Sequence, residues 1–194
     1  NASAGASTAS KQIDVTTGNK KFTNLTTSST GFGGLNLAAY PNTYGLTIAG
    51  APLTLTNLIG TSAVLTVSGS FSAAPAVAAG TTLAGLTPTA VTGLNAAKTA
   101  VTFPLAAAPA PITNGQLIYA VNGTTVIDES LFNAKLTLGT GALLLVAPAD
   151  VTSFANLAKS GATAYVDLAL KPGGVYSNYV RISNKSSIAG KVFL

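Results

Sequence analysis

Apolar and polar residues alternate with a period of two along much of this chain, the pattern of strands that bury one face and wet the other. Ile13 and Val15 share one side of Gln12–Thr16, with Gln12, Asp14 and Thr16 on the other. Leu53 and Leu55 alternate with Thr54 and Thr56, Leu65 and Val67 flank Thr66, and Gly50, Pro52 and Gly60 punctuate the region. These read as short strands with turns between them. A further short strand is expected at Phe22–Leu25, inside a loop-rich stretch over 17–34. The pairs Asn114-Gly115 and Asn122-Gly123 are of the type favoured by two-residue hairpin turns with positive φ. They predict a meander with strands at Gln116–Val121 and Thr124–Asp128. Strands are also expected at Ala134–Leu138, Leu143–Ala147, Ala164–Leu170, Val175–Ser183 and Ile188–Leu194, the last two as a hairpin.

One segment breaks the period. Val151, Phe154, Leu157 and Ala158 recur at helical spacing behind Asp150, a residue that caps helix starts, and Gly161 sits where a helix stops. A helix of about ten residues near 150–160 is therefore predicted. Residues 72–97 are rich in Ala, but Pro75, Gly80, Gly85 and Pro88 are too frequent for a long helix. The expected fold is all-β, a β-sandwich of roughly ten to twelve short antiparallel strands with that one helix. Residues 1–16 read as a flexible arm carrying a short strand, and 17–194 as the sandwich domain. Ala106–Pro111, two prolines among alanines, is a candidate sub-domain boundary.

Composition changes this picture mainly through what is scarce. Charged residues make up 8% of the 194 positions, against about 25% in ordinary soluble domains. Hydrophobic residues make up 47%, so the chain has the material for a core and is not of the disordered type. Ser and Thr number 43 and take over the solvation of the wet faces. Weak charge repulsion favours self-association. The net charge of +5 gathers at the ends, with Lys11, Lys20 and Lys21 near one and Lys171, Arg181, Lys185 and Lys191 near the other. Between Lys21 and Lys98 lie 76 residues with no charge. Basic residues are too sparse for nucleic-acid binding. No apolar run reaches the 18 or so residues of a membrane helix. The chain starts at Asn1 and contains no Met, which reads as a processed, secreted form whose leader has been removed.

Candidate chemistry is equally sparse. Without His or Cys the Ser-His-Asp and Cys-His arrangements cannot form, and thiolate or imidazole zinc sites are ruled out. Asp128 and Glu129 are neighbours, so on a strand they face opposite ways and do not converge on one bond without a bulge; beside a loop they could hold one ion together with backbone carbonyls. No enzymatic activity, cofactor or metal is expected. Tyr40 with Tyr44 and Tyr176 with Tyr179 are candidate sugar-stacking pairs. Ile13 and Val15 near one end, with Val192, Phe193 and Leu194 at the other, are candidate subunit-contact strands.

These features point to a structural subunit of an extracellular assembly, a pilus-like filament or surface layer, whose partners are copies of itself. The joint would be strand exchange or edge-strand pairing. The competing expectation is a monomeric secreted adhesin or carbohydrate-binding module that meets an anionic or glycan surface.

Overall fold

Thr66 faces solvent between the buried Leu65 and Val67, and the same alternation recurs in the two strands that flank it. A computed structural model describes residues 10–38, 46–76, 80–88 and 93–161. Among them are eight strands: β1 (Ser10–Ile13), β2 (Phe32–Leu37), β3 (Val64–Ser68), β4 (Thr82–Leu83), β5 (Ala100–Pro104), β6 (Ile112–Ile118), β7 (Ser130–Thr137) and β8 (Val151–Lys159). One short helix, α1, spans Leu55–Ile59.

The strands form two sheets, ordered β1-β8-β7-β3-β5 and β2-β6-β4. In the larger sheet Leu65 pairs with Phe103 and Leu136, and Val67 with Val101 and Ala134, so one face is a continuous apolar layer. Thr66 lies between Thr102 and Lys135 on the other face, with hydroxyls supplying the wet side. The sheets face each other across an aromatic cluster. Phe32 of β2 meets Phe132 of β7 edge-to-face at 6.0 Å, and Phe71 bridges Phe132 and Tyr119 at 5.2 Å each. Such pairs add about 0.5–1.5 kcal/mol each beyond area burial. Gly33 allows a close approach of β2 to β8, since a Cβ there would sit 2.5 Å from that of Ala155. The result is the expected all-β, two-sheet architecture.

Several local expectations are corrected. The segment 150–160 is not a helix but strand β8. Its three-residue apolar spacing comes from a bulge: β7 advances two residues from Phe132 to Ala134 while β8 advances four, from Ala155 back to Val151. Ser153 takes φ 54° there, and its amide donates to the Asn133 side chain at 2.8 Å in place of a ladder bond. A bulge that adds residues shifts the inward phase and imitates a helical period. The helix instead forms at Leu55–Ile59, where a strand was expected. Thr54 and Asn57 cap it reciprocally, and Leu55, Leu58 and Ile59 face inward.

Asn114-Gly115 is not a turn either. Asn114 adopts φ 51° within β6, at an irregularity in the register with β2, and its amide donates to the Asn36 side chain at 2.6 Å. A bulge uses the same left-handed residue that a hairpin turn would. After Gly123 the chain runs through 124–128 without forming a strand, and it does the same at Leu143–Ala147. Phe22 makes only isolated bridges, to Ile13 and Thr26. The strand expected at Gln12–Thr16 ends at Ile13. There the Asp14 carboxylate accepts from the Thr16 amide and hydroxyl at 2.8 and 2.7 Å and folds the chain into a 3-10 turn at Val15–Thr17. The segment Ala106–Pro111 connects β5 to β6, and residues on both its flanks, Leu105 and Ile112, belong to one core. The strands expected within 164–194 lie outside the described residues.

Tyr119 sits at the centre of the core with its hydroxyl in no hydrogen-bond geometry, although the backbone of Ala73 and Ala74 lies close. Burial pushes its phenol well above the usual range, the Ala73 backbone opposes the rise and Asp128 adds to it. An unpaired buried hydroxyl costs about 1–3 kcal/mol, whereas its removal leaves the ring packing in place. Tyr119→Phe should therefore leave the melting temperature unchanged or raise it. A clear drop in a thermal melt would show that the hydroxyl is bonded.

Candidate functional site

Ile13 and Val15, read from the sequence as one face of a strand, part company in the structure. Ile13 ends β1, is wholly buried in the core, and its carbonyl accepts from the Ser160 amide at 2.8 Å. Val15 starts the 3-10 turn and stays half-exposed. β1 runs parallel to β8, with Ser10 opposite Asn156 and Ile13 opposite Lys159. Its outer side is partly covered, because the Asp14 amide donates to the Lys21 carbonyl and the Thr23 amide to the Gln12 carbonyl. Tyr40, Tyr44, Tyr176 and Tyr179, with Val192, Phe193 and Leu194, lie outside the described residues.

The carboxylates Asp128 and Glu129 diverge. Asp128 accepts from the Ser70 hydroxyl at 3.2 Å. Glu129 accepts from the Lys159 amide at 3.0 Å and pairs with its ammonium at 3.7 Å, an exposed contact. Among the described residues no three acidic side chains gather in a way that would hold an ion. No helix among them is long and apolar enough to cross a membrane.

Two surfaces stand out instead. The first is the apolar run between β7 and β8. The Leu143 and Leu144 amides donate to the Asn57 and Leu58 carbonyls of α1, which fixes the base of the run. Beyond it Leu143, Leu145 and Val146 are 59%, 99% and 79% exposed. Leu46 and Ile48, in the turn closed by the Leu46–Pro52 bridge shortly before α1, are exposed as well. Water contact at three such neighbouring side chains is unfavourable by about 25 cal/mol for each Å² that a partner could cover.

The second is a groove of about 730 Å³ over the outer side of the smaller sheet. Its floor is β6 with Gln116 and Ile118; one wall is the turn at Ala84–Leu86 and the other the connector with Pro109 and Pro111. Among the described residues no charged one lines it. The groove exists because β4 is only two residues long. Thr82 and Leu83 pair with Ile118 and Leu117, and the Ala84 amide adds one bond to the Gln116 carbonyl. Beyond that point Ile112–Gly115 has β2 on one side and no partner strand on the other among the described residues.

Sequence reasoning identified neither surface. The run at 143–147 read as a strand and the connector as a boundary. The prolines were the available signal, since they keep Ala106–Pro111 from pairing with β6 and closing the gap.

Comparison of the chain with protein-family models, with curated proteins and with solved structures returns no match.

Proposed function

We propose that this chain is a structural subunit of an extracellular assembly, a filament or surface layer built from copies of itself. The observation that carries the reading is the exposed run Leu143, Leu145 and Val146, held at its base by α1. Monomeric surfaces rarely present contiguous large apolar side chains, and such patches mark contact sites. The scarcity of charge supports the same reading, because little repulsion opposes the approach of a second copy. Burying two of these side chains in a joint stabilises it by about 3 kcal/mol or more.

The test is a double substitution, Leu145→Asp with Val146→Asp. Both residues are exposed, so the melting temperature should stay within about 2 °C of the parent protein. The concentration at which light scattering and negative-stain images detect assembly should rise by at least about tenfold. A parent protein that stays monomeric at every concentration, or a variant that assembles like it, would sink the proposal. A monomeric parent would favour the adhesin reading.

A further inference from the structure

We infer that the groove over β6 is an acceptor for one extended segment of a second copy of this chain, residues 1–9. This rests on the assembly reading above and deepens it by naming the joint.

Beside Ile112–Gly115 the smaller sheet has no next strand among the described residues. Among the described residues, four residues of β6 have a neighbour on one side only, and the stub of β4 marks the lane that a partner would extend. Backbone pairing along such a lane supplies affinity with little demand on side chains. The walls limit what enters. The turn at Ala84–Leu86 on one side and the connector on the other leave a trough that suits a single extended chain better than the flat edge of another sheet. Pro109 and Pro111 have no amide hydrogen to donate, so the connector does not itself fill the lane.

The chemistry of the trough selects its occupant. Ala106, Ala108 and Ala110 line it with Gly85 and Gly115, and no described lining residue offers a charge to pair with. A charged or bulky segment would be desolvated there without compensation. Residues 1–9 of this chain read Asn-Ala-Ser-Ala-Gly-Ala-Ser-Thr-Ala, with small side chains throughout and none ionisable. Extended, nine residues reach about 30 Å, against about 13 Å for the four-residue gap. The segment therefore fills the lane and leaves residues to span between two copies.

The chain contains no Cys, so introduced thiols report without background. Gln116→Cys puts one on the exposed side of β6 at the groove floor, and Ser7→Cys puts one on the donor segment. The double variant, assembled and treated with a short bis-maleimide, should give a ladder of covalently linked chains on a denaturing gel. Each single variant should stay monomeric on the gel. Assembly by electron microscopy without the ladder overturns this joint while leaving the assembly reading intact. A fast-migrating single-chain product also overturns it, because the groove would then hold the chain's own segment. A parent protein that never assembles overturns both.

Discussion

Replacing Ile13 with aspartate should destabilise the described fold by about 4–5 kcal/mol, enough to lower the melting temperature by roughly 10–20 °C. The side chain is wholly buried at the end of β1, against β8 on one side and the Phe22 bridge on the other. Truncation of a buried Ile alone costs about 2–5 kcal/mol, and an unpaired carboxylate adds its desolvation. Ile13→Val, which keeps most of the volume, should cost only about 1 kcal/mol. Urea melts of the two variants against the parent protein measure the difference. If Ile13→Asp melts within about 2 °C of the parent, β1 contributes nothing to its own sheet, and residues 1–16 are the loose arm that their composition suggests. The structure favours the large effect, because Asp14 and the Val15–Thr17 turn fasten the strand immediately after its buried residue.

Gly139→Ala is expected to cost about 3 kcal/mol or more, and Gly141→Ala, two residues away, only about 1–2 kcal/mol. At Gly139 a Cβ would drive into the Thr61 carbonyl, and the next nearest atoms are also Thr61 and Ala63 backbone. Gly60 meets the same junction from the opposite side, with the Gly139 and Thr140 carbonyls each 2.7 Å from where its Cβ would be. Backbone packed against backbone has no rotamer through which to relax. The crossing is held by the Gly139 amide donating to the Ile59 carbonyl and by the Thr61–Thr140 bridge. Gly141 has a positive φ of 75° but open space around it, so alanine there meets only the left-handed conformational penalty. Equal midpoints in urea for the two variants would show that the crossing is not tight. Because this junction anchors the base of the 143–146 run, Gly139→Ala should also weaken assembly.

The larger sheet was legible where its strands are regular. Leu65-Thr66-Val67 alternates without interruption, and so does the structure, because β3 pairs on both sides with no register shift. Legibility failed where the ladder is irregular. The bulge at Ser153 changed the period of β8 from two to three, and Asn114 spent its positive φ inside a strand. Thr54 and Asn57 form a capping box without the usual Glu or Gln, so local propensity favoured a strand over α1. Pairing partners had no local signal at all: nothing near Ser10 announces Asn156. The two candidate surfaces were invisible for a related reason. A groove that depends on β4 stopping after two residues, and a run exposed because it leaves α1 after Leu144, are properties of neighbours rather than of the residues themselves.

The parallel pairing of β1 with β8 has a mechanical consequence. Tension entering the chain at Ser10 and leaving at Ser160 pulls the two strands along their length in opposite directions. Hydrogen bonds that lie across the direction of pull are then loaded together in shear, instead of opening one after another as a zipper does. Four register pairs, from Ser10–Asn156 to Ile13–Lys159, share that load. The Ser160 amide on the Ile13 carbonyl extends the clamp by one more bond at the point where the force leaves.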